Sequence, residues 1–131
     1  MKFPPPVAEL IGFEVVRIEG GESELTLEVE ERHSNPMGTV HGGILCDLAD
    51  AAMGTAFFST LEEGESFTTL ELKINYTRPF WTGRLVAHGR VVQRGNTVGL
   101  TDCRIEDAGG RLVAFATSTC MALRGDAAAG R

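Results

Sequence analysis

The chain has 131 residues, enough for one domain with a real hydrophobic core. Its net charge of −6 argues against general binding to nucleic acids or anionic membranes, and no apolar run approaches the ~20 residues that cross a bilayer. The three cysteines show no CxxC spacing and lie among apolar residues, as is typical of reduced packing residues. Because the start, MKFPPPVAEL, lacks the apolar segment of a secretory signal, we expect a soluble, cytoplasmic protein.

The first half of the chain predicts a hairpin followed by one long helix. Prolines 4 to 6 indicate a stiff extended start before a short helical turn at residues 7–11. Two β-like runs, 13–19 and 24–30, flank Gly20-Gly21 and predict the hairpin. Residues 35–58 begin as a Pro/Gly-rich loop and become a helix that ends near Thr60, with apolar residues at helical spacing: Leu45, Leu48, Ala49, Ala52, Met53 and Ala56.

After the helix, the hydrophobic period is two. Residues 67–77 predict a strand that Pro79 ends, with Leu70, Leu72, Ile74 and Tyr76 on one face and Thr69, Glu71, Lys73 and Asn75 on the other. Three more strands are predicted at 84–94, 97–107 and 111–123, joined by turns at Gly95-Asn96 and Gly109-Gly110. The last strand is apolar or small on both faces, which favours a place inside the sheet.

The predicted order is therefore β-β-α-β-β-β-β in a single α+β domain spanning residues 1–131, with an ordered core at about 7–123 and a disordered tail at 124–131. One helix and one sheet leave the other sheet face partly apolar. We expect dimerisation to cover such a surface.

Candidate catalytic groups cluster at the helix. The N–H groups of Gly42 and Gly43 lie at its positive end and could polarise a carbonyl oxygen, although paired glycines there also suit a simple tight turn. His41 suits a loop-organising hydrogen bond better than catalysis. Asp50 lies among alanines, where burial would raise its pKa for a role as base or nucleophile, unless an arginine or a backbone group of another strand pairs with it. Asp47 is interpreted as matching the helix dipole.

Other constellations are weaker. Cys46 has the companions of a Cys/His hydrolase but falls between apolar positions of the helix. His33, His41 and the two aspartates match no metal-binding spacing. The arginines of the second half are either solvated strand ends or a phosphate-binding patch: Arg78, Arg84, Arg90 and Arg94.

Three features combine into a resemblance: the motif HGG at residues 41–43, an aspartate nine residues after its histidine in an alanine-rich helix, and a strand that ends in NYTRP at residues 75–79. Together they resemble the hotdog-fold acyl-CoA thioesterases of the phenylacetate-pathway type, over residues 7–123. The resemblance implies a helix wrapped by a curved antiparallel sheet. It also implies homodimers joined edge to edge, active sites at the dimer interface, and often a dimer of dimers.

The resemblance also assigns catalytic roles. Asp50 becomes the catalytic carboxylate, acting across the interface, and the Gly42 N–H polarises the thioester carbonyl. Asn35 matches a polar position that places the thioester or the attacking water. His41 positions the loop or the thioester sulfur, and Thr69 orients water beside the carboxylate.

Some assignments stay open at this point. The water-orienting hydroxyl could belong to Thr68 instead of Thr69. Arg90 and Arg94, with Arg78, are candidates for the coenzyme A phosphates by chemical type. The implied substrate is an acyl-CoA, with no metal or redox cofactor. The alternatives are a hotdog acyl-thioester dehydratase or hydratase, which would pair a histidine with a carboxylate, and a non-catalytic acyl-CoA-binding module.

Overall fold

The computed structural model describes residues 3–131. The two α-helices are α1 (Pro6–Ile11) and α2 (Gly42–Phe58). The six strands are β1 (Glu14–Glu19), β2 (Glu22–Val29), β3 (Ser66–Tyr76), β4 (Gly83–Arg94), β5 (Val98–Asp107) and β6 (Leu112–Leu123). The predicted order β-β-α-β-β-β-β is confirmed, and α1 begins with Pro6 because the first helical position needs no N–H donor.

All six strands form one antiparallel sheet in the order β1-β2-β4-β5-β6-β3. β6 lies inside the sheet, between β5 and β3, as its two apolar faces predicted. β3, with 11 residues, forms one edge of the sheet, so one side of its backbone pairs with no strand of the described residues.

Helix α2 packs along one face of this sheet. The six residues predicted at helical spacing are all buried, at 0–3% exposure. The sheet approaches the helix closely at Gly89 on β4, where a side-chain Cβ would collide with the carbonyl oxygen of Ala52. Beside it the hydroxyl of Ser23, on β2, donates a 2.6 Å hydrogen bond to that oxygen. Gly89 and Ser23 thus set the distance between α2 and the sheet.

Strand β3 differs from its predicted two-faced pattern. Its pairing with β6 shifts between Thr69 and Glu71, so Leu70 is the extra residue of a β-bulge and is 54% exposed. Leu72 and Ile74 beyond the bulge pack against the core, as predicted. The sequence predicted Leu70 on the same face as Leu72 and Ile74, and Thr69 on the opposite face. This prediction is wrong, because the extra residue of the bulge reverses the alternation of side chains, so that residues before it change faces relative to residues after it. Thr69 consequently faces α2.

The segment after β6 contains a 3-10 turn at Gly125–Ala127, where the sequence predicted disorder. Its hydrogen bonds run from the amides of Ala127 and Ala128 back to Arg124 and Gly125. Among residues 3–131, no helix is long and apolar enough to cross a membrane.

Candidate active site

The five predicted catalytic residues lie around α2, at two clefts that share no lining residue. Asp50 and Thr69 line one of them, called here the carboxylate cleft. Asn35 and Gly42 line the other, called here the glycine cleft, and His41 caps the helix beside it. The chain therefore brings the predicted groups together as a pair, Asp50 with Thr69, and a separate group of three, Asn35, His41 and Gly42.

The carboxylate cleft is a mainly apolar hollow of about 300 Å³ between α2, the N-terminal segment and the first part of β3. Its apolar walls include Phe3, Val7, Phe13, Val15, Phe58 and Phe67. Gly54 widens it, because a Cβ there would lie 3.3 Å from the ring of Phe67. Asp47 and Asp50, one helical turn apart, supply the negative charge of the cleft.

Asp50 differs from its predicted burial. It is exposed in the single chain, because it lies on the side of α2 turned away from the sheet. Neighbouring atoms of the cleft still remove part of the hydration of the carboxylate, and this partial desolvation, followed by the negative charge of Asp47, raises the pKa of Asp50. Within residues 3–131 no arginine or lysine forms an ion pair with it, so the alternative of a structural ion pair finds no support. A carboxylate of raised pKa suits proton transfer.

Thr69 faces the same cleft as Asp50. Its hydroxyl lies 3.7 Å from the Cys120 sulfur on the neighbouring strand β6. Thr68 does not line the cleft; it pairs with Met121, one position along the ladder and on the opposite face. Of the two threonines considered from the sequence, Thr69 is the one beside the carboxylate.

The glycine cleft lies at the N-terminus of α2. His41 is the N-cap, and its Nδ1 accepts a 2.8 Å hydrogen bond from the N–H of Gly43. The His41 N–H donates to the carbonyl oxygen of His33, which ties the loop down. The hydrogen bonds of residues 3–131 include none from the Gly42 N–H. A free N–H at the positive end of a helix can stabilise negative charge on an oxygen.

Asn35 organises the loop before α2. Its Oδ1 accepts hydrogen bonds from the N–H groups of Met37 (2.9 Å) and Thr39 (3.2 Å), and its Nδ2 donates to the Thr39 hydroxyl (2.8 Å). These bonds fold residues 35–39 into a compact turn at the rim of the glycine cleft. One Nδ2 hydrogen remains available for a ligand.

Tyr76 is the residue of this cleft that the sequence analysis missed as a functional group. Its hydroxyl donates a 3.0 Å hydrogen bond to the Gly42 carbonyl oxygen, and its ring lies against the Gly42 Cα. Desolvation, with a smaller contribution from Cys46, raises the pKa of Tyr76, so the phenol keeps its proton for this bond. The NYTRP motif contained the residue, but the contact joins positions 34 apart and leaves no periodic pattern.

The three arginines predicted for phosphate binding lie in different places. Arg78 lines the glycine cleft. Arg90 forms an ion pair with Asp102 (2.8 Å) across β4 and β5. The Arg94 guanidinium lies 4.7 Å from the centre of the Phe57 ring, and its Nε donates to the hydroxyl of Thr60, just after α2. Only Arg78 borders either of the two clefts.

Two other chemistries were considered from the sequence. Desolvation and the charges of Asp47 and Asp50 raise the pKa of the Cys46 thiol, which disfavours the thiolate that a Cys/His hydrolase needs. In the part of the chain that the structure describes, no group of three or more His, Cys, Asp or Glu side chains is arranged to hold a metal ion.

Comparison with known proteins identifies the family of the chain. The sequence profile of the thioesterase superfamily matches residues 37–114, which include α2 and most of the sheet. The 1,4-dihydroxy-2-naphthoyl-CoA hydrolase of Listeria monocytogenes is 28% identical over 85% of this chain and 90% of its own length. Acyl-coenzyme A thioesterase 13 of Pongo abelii is 32% identical over 67% of this chain and 64% of its own length.

A solved structure shows the same architecture. The E. coli PaaI protein, from the phenylacetic acid degradation operon, superposes with a TM-score of 0.86 and is 25% identical. The alignment covers 93% of this chain and 87% of the PaaI chain. The fold thus agrees with the family implied by the HGG motif, the aspartate and the NYTRP motif, and the chain belongs to the thioesterase superfamily as a thioester hydrolase with the hotdog fold.

Proposed function

We propose that this protein hydrolyses acyl-CoA thioesters to a free acid and coenzyme A. One observation carries the proposal: Asp50, without a cationic partner in residues 3–131 and with a raised pKa, lies beside the Thr69 hydroxyl in an apolar cleft. An apolar cleft suits an acyl group, and a carboxylate at its wall suits activation of water. Two of the relatives, the 1,4-dihydroxy-2-naphthoyl-CoA hydrolase and acyl-coenzyme A thioesterase 13, are named as enzymes for coenzyme A thioesters, which supports this substrate class.

The complete site is proposed to need two copies of the chain. Asp50 and Gly42 lie at clefts without a shared residue, and the edge strand β3 leaves backbone groups free to pair with a second β3. A homodimer joined along β3 would place the Asp50 carboxylate of one protomer opposite the Gly42 N–H of its partner. Two such dimers could assemble further into a tetramer.

The proposed chemistry uses the groups as follows. The Gly42 N–H, helped by the dipole of α2, stabilises the negative charge that develops on the thioester oxygen. Asp50 takes a proton from a water molecule held by Thr69 while the water oxygen attacks the carbonyl carbon. The C–S bond then breaks, and the coenzyme A thiolate takes up the proton that Asp50 accepted from the water. In the alternative route, a carboxylate oxygen of Asp50 attacks the carbonyl carbon and the C–S bond breaks, which expels the coenzyme A thiolate and leaves a mixed anhydride. Water then opens the anhydride to the free acid and restores Asp50.

Of the alternatives from the sequence, the dehydratase would need a His41 ring nitrogen free to move a proton. The Nδ1 of His41 instead accepts the hydrogen bond from the Gly43 N–H that caps α2. The non-catalytic binding module would leave an aspartate of raised pKa beside the acyl group without a use. Hydrolysis uses Asp50 as the base or nucleophile and leaves His41 as the N-cap of α2.

Release of free thiol from a panel of acyl-CoAs tests the proposal. The panel includes phenylacetyl-, hydroxybenzoyl-, short-chain and medium-chain thioesters. We expect the wild type to cleave at least one class, Asp50→Asn to lose at least ~100-fold in kcat, as is usual for a missing acid-base group, and the matched control Asp47→Asn to keep most activity. Full hydrolysis by a folded Asp50→Asn protein, or binding of every thioester without cleavage by the wild type, would refute the proposal.

A further inference from the structure

The glycine cleft continues into a second depression at the loop between β3 and β4. Both are lined by Thr77, Arg78, Pro79 and Phe80, and the second adds Trp81 and Arg111. A ligand whose reactive end lies at Gly42 can therefore extend along this loop. The second depression is called here the tryptophan hollow.

The tryptophan hollow exposes a large aromatic face. Trp81 is 58% exposed, although an indole is among the side chains that gain most from burial. Phe80 beside it is half-buried and its carbonyl oxygen accepts a hydrogen bond from Val40, so the loop is anchored to the segment before α2. An exposed ring on an anchored loop is a platform on which a planar heterocycle can stack.

Two guanidinium groups flank this ring in a chain that is acidic overall. Arg78 makes no hydrogen bond or ion pair among the side chains of residues 3–131. Arg111 uses its Nε to hold Asp107 at 2.9 Å but is 68% exposed, which leaves its terminal nitrogens accessible. With the single charge of Asp107 included, the hollow carries a net positive charge, while the whole chain carries −6.

We propose that the tryptophan hollow binds the nucleotide half of coenzyme A, with the adenine stacked on Trp81 and phosphates held by Arg78 and Arg111. The inference rests on the proposed function, because the thioester at Gly42 sets where the other end of coenzyme A can lie. Guanidinium groups match phosphate oxygens in pairs, and adenine stacks on indole. The pantetheine arm then follows Thr77 to Phe80.

This assignment moves the phosphate contacts away from two of the arginines predicted from the sequence. Arg90 is engaged by Asp102, and Arg94 by Phe57, Thr60 and the Gly95 carbonyl oxygen. Neither borders the tryptophan hollow or the glycine cleft. Both already have partners that a phosphate would have to displace.

Fluorescence gives a direct binding test, because Trp81 is the single tryptophan of the sequence. The purified full chain is titrated with adenosine 3′,5′-bisphosphate and, separately, with pantetheine. We expect the nucleotide to quench Trp81 and pantetheine to leave it unchanged. Arg78→Ala and Arg111→Ala should each weaken the nucleotide by about tenfold, as expected for one charge-assisted contact, while Arg104→Ala, ion-paired with Glu106 elsewhere on the sheet, should not.

Kinetics with a shortened substrate separates this inference from the proposed function. An acyl-N-acetylcysteamine thioester keeps the reacting bond but lacks the nucleotide. Trp81→Leu and Arg111→Ala should raise KM for the acyl-CoA and leave hydrolysis of the short thioester unchanged. If the wild type cleaves neither thioester, the proposed function is wrong, whereas quenching by the nucleotide still reports on the hollow. The inference would be overturned if the nucleotide did not quench Trp81, or if all variants had equal KM values for the acyl-CoA. It would also be overturned if only Arg90→Ala and Arg94→Ala weakened nucleotide binding.

Discussion

The hydroxyl of Tyr76 donates a 3.0 Å hydrogen bond to the carbonyl oxygen of Gly42, which joins the end of β3 to the first turn of α2. A Cβ on Gly42 would lie 2.8 Å from that hydroxyl oxygen, so a larger residue there would have to displace the ring. Because the Gly42 N–H is the proposed donor to the thioester oxygen, Tyr76 holds the neighbouring peptide in place. Strand β3 thus carries Thr69 for one cleft and Tyr76 for the other.

Replacing Tyr76 by phenylalanine should keep the ring but remove the hydrogen bond. We expect kcat to fall by about two- to tenfold, since such a bond contributes ~0.5–1.5 kcal/mol. KM and the circular dichroism spectrum should change little, because the donor is misplaced and not lost. An unchanged kcat would show that Tyr76 does not position Gly42.

The face exchange at Leu70 makes a sharp prediction about the two threonines. Thr69→Val should lower kcat by roughly 10- to 100-fold, the cost of losing a hydrogen bond to a charged site or its water. Thr68→Val is the matched control and should remain close to wild type, because Thr68 points away from α2. The reverse order of the two effects, measured by thiol release, would contradict the placement of the bulge.

The pH dependence of hydrolysis should report the environment of Asp50. Only the ionised carboxylate can accept a proton or attack, so the rate should rise with pH through a pKa above the ordinary aspartate value of 3.8. Asp47→Asn removes the neighbouring negative charge, lowers the pKa of Asp50 and should move this rise to lower pH. Glu28→Gln, on the exposed side of β2, serves as the control and should leave the profile unchanged. A profile that Asp47→Asn leaves in place would contradict the coupling.

The close approach of sheet and helix predicts a sensitive glycine. Gly89→Ala would push a methyl group into the Ala52 carbonyl and the Ser23 hydroxyl, and overpacking of this kind costs ~1–3 kcal/mol of stability. Gly109→Ala, in an exposed turn with its nearest neighbour atom 3.4 Å away, should have little effect. Urea unfolding compares the two variants. Equal stabilities would show that α2 can lift from the sheet without loss.

The order of the elements and the buried face of α2 follow from the sequence, because period and turn chemistry are local signals. The bulge at Leu70 does not, since an alternating pattern looks the same with or without one extra residue. The exposure of Asp50 was also mispredicted. The alanines around it indicate burial, and Ala49 and Ala52 are buried, but Asp50 itself is exposed in the single chain.

The candidate site likewise has residues that the sequence predicts and contacts that it does not. Asp50, Gly42 and Asn35 could be proposed from short motifs, because each lies in one continuous segment. The contact of Tyr76 with Gly42 and the neighbours of Arg90 and Arg94 depend on how distant strands meet. Residue type alone therefore indicated phosphate binding at arginines that have other partners in the fold.

Complementation between two inactive variants tests the shared site most directly. Asp50→Asn and Gly42→Ala are produced together with different tags, and the mixed dimer is isolated. Asp50→Asn removes the carboxylate, and the Cβ of Gly42→Ala would collide with the Tyr76 hydroxyl and displace the N–H, so each parent should be inactive. The mixed dimer should regain about half of the wild-type thioesterase activity, because one of its two symmetric sites contains neither substitution. A mixed dimer as inactive as its parents would contradict the claim that Asp50 of one protomer and Gly42 of its partner act on the same thioester.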